Sequence, residues 1–194
     1  MRDIDIRGAL HANPTALHQA DPTTRIFDEL ALCQGSARVD IAVVNGELHG
    51  FEIKSAHDTL DRLPHQAEVY SRVFDRVTLV VSSQHCEKAR TVIPEWWGIS
   101  EALETDDGIT INENRPSQRN PAVDPCSVVQ LLWREEALAA LRTRGLSKGV
   151  ESKPRKAVWA KLVEELSVEE IGEIVRSQLK ARYGWRLKSD VQLP

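Results

Sequence analysis

The clearest pattern of apolar and polar positions runs from Arg38 to Tyr70. RVDIAVV, Asn45-Gly46 and ELHGFEIK read as strand, tight turn and strand, and Asn-Gly between two such runs is a strong short-range hairpin signal. In the first strand Val39, Ile41 and Val43 alternate with Arg38, Asp40, Ala42 and Val44. Asp40 is therefore expected to point away from the face carrying Val39 and Ile41. In the second strand Glu52 and Lys54 share one face and Ile53 takes the other. Register decides whether the two carboxylates meet. A strict two-residue loop puts Asp40 opposite Phe51, whereas a three-residue loop, or a bulge at Gly50, brings Glu52 opposite Asp40. The shifted register is expected, because the two like charges can then share a cation.

The flanking segments follow the same logic. Asp3 to Ala12 reads as a short amphipathic helix ending at Asn13-Pro14, with a further helical turn around Thr15 to Gln19. TTRIFDELAL suits either a helix capped at Thr23 or Thr24, or a strand from about Ile26 to Leu32; the strand is preferred and gives three antiparallel strands in sequence. After the hairpin, Asp58, Arg62, Gln66 and Tyr70 recur every four residues, the spacing of one helix face. Pro64 suits the first turn of the main helix, whose Val69 and Val73 face the core. Val77 to Val81 is a continuous apolar run, as in a buried strand. Strand, strand, helix, strand makes an α/β core with a mixed central sheet flanked by helices.

Further on, Glu87 to Val92 reads as a helix stopped by Pro94. The Trp96-Trp97-Gly98-Ile99 stretch reads as core packing, with base stacking the minor alternative. Ile109 to Asn112 reads as a strand that pairs with Trp97-Gly98-Ile99. Asn114 to Pro125 is a loop and the best boundary. Ser127 to Thr143 predicts one amphipathic helix stopped by Gly145. A basic linker, Ser147 to Arg155, precedes two helices, Arg155 to Leu166 and Val168 to Arg182, joined at Ser167 with Glu170 as its capping-box partner. The expected organisation is a core over 1–113, a loop and amphipathic helix over 114–146, and a C-terminal helical extension over 147–194. Arg182, Tyr183, Trp185, Arg186 and Lys188 mix cations with aromatics, as a nucleic-acid contact or an ordinary helix C-terminus would.

Composition narrows the function classes. The net charge is −4, which argues against simple phosphate-neutralising DNA coating but not against a carboxylate site that works with cations. The three cysteines are widely scattered and form neither a disulfide framework nor a zinc pattern. His49, His57, His65 and His85 match no tetrahedral ligand spacing either. His57 and His65 lie near enough to the motif to assist proton transfer, but no role is assigned to them. No run is long and apolar enough for a membrane span, and MRDIDIRGAL lacks a signal-peptide core, so a cytoplasmic location is expected.

Asp40 followed by Glu52-Ile53-Lys54 on the next strand resembles the D…(D/E)-x-K signature of the PD-(D/E)xK nuclease superfamily. Gln66-Ala67-Glu68-Val69-Tyr70 resembles the Q-x-x-x-Y motif of its RecB-like branch. The wording RVDIAVVNGELHGFEIKS, with DTLDRL and VTLVV after it, is similar to an uncharacterised bacterial and phage-borne family placed in that superfamily. The likeness covers the first half of the chain well and the second half faintly. Val39 stands where the namesake proline would sit.

The resemblance implies a restriction-endonuclease-like core, a Mg²⁺ (or Mn²⁺) site and phosphodiester hydrolysis, with DNA as substrate. It implies Asp40 and Glu52 as ligands, the carbonyl of Ile53 as a further one, and Glu29 completing the site where relatives carry an upstream acid; a solvated edge Glu is the other reading of Glu29. Lys54 is expected to hold the attacking water or stabilise charge on the phosphate. Gln66 is expected to orient the nucleophile or Lys54, Tyr70 and Arg62 to contact phosphate, and Asp58 to stand behind them. Taken without the resemblance, Glu52 and Lys54 are a same-face ion pair of little worth. The rival functions are a non-catalytic nucleic-acid- or protein-binding module, and a nuclease subunit that needs a partner. The C-terminal helices are the expected surface for such a partner or for a homodimer.

Overall fold

The computed structural model describes residues 1–13, 17, 22–106 and 108–182. The expected turn at Thr15 to Gln19, the Asp107 position and the basic-aromatic tail from Tyr183 onward lie wholly or mostly outside them. Six strands form one mixed sheet whose spatial order is the chain order: β1 (Arg25–Leu32), β2 (Ala37–Val44), β3 (Leu48–Lys54), β4 (Arg76–Ser82), β5 (Gly98–Thr105) and β6 (Gly108–Arg115). The first three are antiparallel, β3, β4 and β5 run parallel, and β6 returns antiparallel. The parallel step from β3 to β4 needs a crossover, and α2 (Leu63–Val73) supplies it.

α1 (Asp3–His11) covers one face of the sheet, burying Ile6 and Leu10 with Ile41, Val43, Phe51 and Val80. The other face carries α2, the short α3 (Cys86–Arg90) and a layer of four later helices. These are α4 (Pro125–Val128), α5 (Arg134–Thr143), α6 (Arg155–Glu165) and α7 (Val168–Ala181). Val128, Leu138, Leu162 and Val175 join the same apolar cluster as Leu79 of the sheet and Val69 and Val73 of α2, so the C-terminal helices share the main core. Gly50 lets α2 sit close: a Cβ there would meet the Phe74 ring at 2.8 Å.

Several expectations change. The pairing partners of Ile109–Asn112 are Glu101–Glu104, not Trp97–Ile99, because β5 continues through the polar run after Ile99; β6 itself extends to Arg115. The single helix over Ser127–Thr143 is broken. Asp124 caps α4 through Cys126 N–H, a tight turn follows over Val129–Leu131, and Leu132 is extended before α5 restarts at Arg134. The break is held from both sides. Glu136 accepts the Trp133 N–H at 2.7 Å, and the Trp159 indole donates to the Leu132 carbonyl at 3.2 Å. Ser167 and Glu170 make the expected reciprocal capping box at the start of α7. Among the described residues no helix is long and apolar enough to cross a membrane.

Candidate functional site

The hairpin connection spans three residues, Asn45–Glu47, with Val44 opposite Leu48 and Ile41 opposite Phe51. That register places Asp40 level with Glu52, the shifted arrangement. The pleat, however, does not continue through Asp40. Val39 packs in the α2-side core with Ala42 and Val44, while Ile41 and Val43 belong to the α1-side cluster. Val39 and Ile41 therefore do not share a face, contrary to simple alternation. β1 breaks at the same level: pairing skips from Asp28–Ile41 to Leu30–Val39, and Glu29 sits at φ 55°. A non-glycine residue held there stores strain. The paired interruption releases the Asp40 and Glu29 side chains from the pleat, and both line a cleft of about 390 Å³ at this end of the sheet.

Two carboxylates anchor the cleft in different ways. Glu52 is 2% exposed. Its Oε1 accepts from Lys54 Nζ and from Gln66 Nε2, each at 2.5 Å, and its Oε2 accepts from the Tyr70 hydroxyl at 2.6 Å. Gln66 and Tyr70 reach it because they are four residues apart on α2. Lys54 is itself buried, so the pair is an internal ion pair with its hydrogen bonds largely made. The Gln66 Oε1 atom is buried with no partner.

Asp40 is held by different chemistry. The ladder between β2 and β3 ends at Ile41–Phe51, and Asp40 Oδ2 takes the Ile53 N–H at 2.7 Å. Asp40 Oδ1 accepts from Arg7 of α1 at 3.0 Å, and the same guanidinium donates to the Asp40 carbonyl at 2.6 Å and to Glu29 at 2.7 Å. Asp3 and Asp28 lie 3.3 and 3.7 Å from it. Burial pushes the Asp40 carboxyl up to about 7, and the Glu52 charge adds to the rise against the pull of Ile53 N–H and Arg7. Burial, with the Glu52 charge beside it, also raises the Tyr70 phenol well above its ordinary value, so it stays a donor.

The structure thus brings Asp40, Glu52, Lys54, Gln66 and Glu29 to one cleft, with Ile53 meeting Asp40 through its N–H. Tyr70 corrects its expected role. It is 0% exposed and its hydroxyl is spent on Glu52 and on the Arg38 carbonyl, so it positions Glu52 rather than touching a phosphate. Asp58 and Arg62 precede α2, Arg62 as its N-cap, in keeping with a helix that starts beside Pro64. Asp58 closes a turn onto the Ser55 N–H and hydroxyl, and Arg62 stands exposed at the rim of the cleft. Arg7 and Asp3 were not singled out from sequence. The one signal available was their i, i+4 spacing on a helix with an acidic first turn, which is ordinary on any surface helix.

The donor set suits a hard divalent cation in part. Asp40 and Glu52 offer carboxylate oxygens at one level, and Gln66, whose Oε1 is orphaned, lines the same cleft. Among the described residues no three His, Cys, Asp or Glu side chains converge as a ready ligand group, and Arg7 takes one oxygen each of Asp40 and Glu29.

Residues 14–191 match the family described as Bacteriophage P4 protein cII. The chain belongs to the bacteriophage P4 protein cII family. Protein cII of Enterobacteria phage P4 is 25% identical over 158 residues, which cover 81% of this chain and 59% of that protein. The chain therefore spans less than two thirds of the length of that relative. A solved protein of unknown function from Silicibacter pomeroyi aligns at 20% identity and a TM-score of 0.43, over 74% of this chain and 94% of its own.

Proposed function

We propose that this member of the cII family is a cation-dependent phosphodiester hydrolase of the PD-(D/E)xK kind, with DNA as its substrate. The observation that carries the reading is the Glu52 carboxylate gathering Lys54, Gln66 and Tyr70 beside Asp40 in one cleft. Three side chains from two elements converge on it, which a surface ion pair does not explain. Asp40 and Glu52, with the Ile53 carbonyl, would hold Mg²⁺ or Mn²⁺. Such an ion supplies Lewis-acid charge at the phosphate and lowers the pKa of a bound water. Lys54 holds the attacking water and offsets charge building on the phosphate oxygens. Gln66 and Tyr70 fix the Glu52 carboxylate in orientation. Arg62, exposed at the rim, clamps a neighbouring phosphate.

The test is incubation of plasmid and of single-stranded DNA with Mg²⁺, Mn²⁺ or EDTA, beside the Asp40→Ala and Lys54→Ala variants. Cation-dependent cleavage lost in both variants supports the reading. Absence of cleavage by folded wild type, with no calorimetric signal for either cation, rejects it.

One observation favours a second reading. The Lys54–Glu52 and Arg7–Asp40 pairs already balance the buried charges without any cation. A module that binds nucleic acid or protein without cutting, or a subunit completed by a partner through the C-terminal helices, would show this arrangement. Cation binding without cleavage supports the partner-dependent form, and DNA binding that ignores cations supports the non-catalytic one.

A further inference from the structure

Arg7 is the least expected member of the cleft. It comes from α1, on the far side of the sheet edge from α2, and its side chain is 13% exposed. Its guanidinium meets four carboxylates and one carbonyl. One of those carboxylates, Asp40, is a ligand of the proposed cation, and a second, Glu29, is the upstream acid expected to complete the site. The other two, Asp3 and Asp28, are the more exposed pair, at 43% and 50%. The guanidinium therefore has two sets of acceptors side by side: Asp40 and Glu29, and the somewhat more exposed Asp3 and Asp28, the latter also held by His11 at 2.9 Å. A short swing from the first set to the second frees Asp40 Oδ1 and Glu29 without leaving an arginine unpaired. Gln66 lines the same cleft, and its buried, orphaned Oε1 is an independent sign that the cleft is built for a further electropositive group.

We propose that Arg7 is a tethered cation that competes with a divalent ion for Asp40 and Glu29, and that the Asp3–Asp28 pair is the berth to which it moves when the ion binds. This rests on the cation-site reading above and adds its control: without the ion, the chain's own guanidinium closes the site, so affinity is set by a displacement rather than by ligand count alone. The closed form avoids leaving the Asp40 and Glu29 charges facing each other in a partly buried cleft.

The experiment is calorimetric titration of Mn²⁺ into the full chain, wild type, four single variants and one double variant, each checked for native circular dichroism. Arg7→Gln removes the competitor and is expected to tighten Mn²⁺ binding on the order of tenfold, the size of coupling between groups in direct contact. Arg38→Gln removes an equal charge whose guanidinium lies 3.7 Å from Glu29 without bonding Asp40, and is expected to change affinity far less. Asp28→Asn spoils the berth and is expected to weaken binding about threefold in wild type, with no effect in the Arg7→Gln background. Arg7→Lys keeps a charge on a shorter, single-point donor and falls between wild type and Arg7→Gln, which keeps the test open should Arg7→Gln fold poorly.

Unchanged or weaker binding in Arg7→Gln would overturn the displacement and make Arg7 a scaffold. Equal tightening in Arg38→Gln overturns it too, as mere charge removal. An Asp28→Asn effect that persists without Arg7 removes the berth. A lack of Mn²⁺ binding in every folded variant sinks the cation-site reading itself, an outcome distinct from the other three.

Discussion

The two halves of the cleft solve the same problem with opposite means. Glu52 sits in a pocket built by near neighbours in sequence: Lys54 two residues on, and Gln66 and Tyr70 on the crossover helix that follows. Asp40 sits in a pocket built by distant ones, with Arg7 reaching across 33 residues and Glu29 freed by a strained backbone. The Glu52 half is buried and fully bonded on the carboxylate. The Asp40 half is more open, and its carboxyl titrates near neutrality. The contrast separates a carboxylate locked by three donors from one whose partner, Arg7, is shared with three other acids; on the proposal above, the second carboxylate exchanges partners.

The largest effect should come from breaking the locked half. Lys54→Met strands the buried Glu52 charge and is expected to cost roughly 3–5 kcal/mol in urea unfolding, as removal of one partner of a buried pair does. The double variant Glu52→Gln, Lys54→Met should recover most of that loss while remaining unable to bind a cation, which divides stability from chemistry. Tyr70→Phe removes the hydroxyl from Glu52 and from the Arg38 carbonyl; a loss of about 1.5–3 kcal/mol is expected from the charged hydrogen bond. A Tyr70→Phe protein as stable as wild type would show that the hydroxyl does not hold Glu52.

The adjustable half should show itself through pH. The Asp40 carboxyl is raised to about 7, so the folded chain holds a proton there that the unfolded chain has already released. Its contribution to stability therefore falls as pH rises from about 4 to about 7. A cation must displace that same proton, so Mn²⁺ affinity should rise about tenfold per pH unit below 7 and level off above it. Calorimetry at a series of pH values reads the slope, and a flat profile would take Asp40 out of the site. The smallest effect on stability belongs to Arg62→Ala at the exposed rim, within about 0.5 kcal/mol of wild type. Its DNA affinity should nonetheless drop and lose part of its salt dependence.

The same contrast explains what could be read from the sequence. Glu52, Lys54, Gln66 and Tyr70 were legible because strand alternation and helix spacing fix their faces once the hairpin is recognised. The mixed sheet, the crossover at Pro64 and the Ser167 cap followed from equally local rules. The Asp40 side was only half legible. Alternation misassigned Val39 and Ile41, since nothing local announces that two strands will break their pleat at one level. Arg7 and Asp3 join the cleft only through tertiary packing of α1. The break at Leu132 was hidden because its apolar spacing also fits one continuous helix, and the deciding contact, the Trp159 indole, comes 27 residues later.

The strand order of the sheet has a consequence for biogenesis. Every strand neighbours the strand synthesised just before it, so the sheet can lengthen at one edge as the chain leaves the ribosome, with no later strand inserted between earlier ones. The three antiparallel pairs close between strands near in sequence, whereas the parallel steps into β4 and β5 wait for the intervening chain to be made. The vulnerable interval comes afterwards. Until Val128, Leu138, Leu162 and Val175 have been made, the apolar side that α2 shares with the sheet lacks its cover. A nascent chain paused between β6 and α4 would expose that surface, and there a chaperone has most to protect.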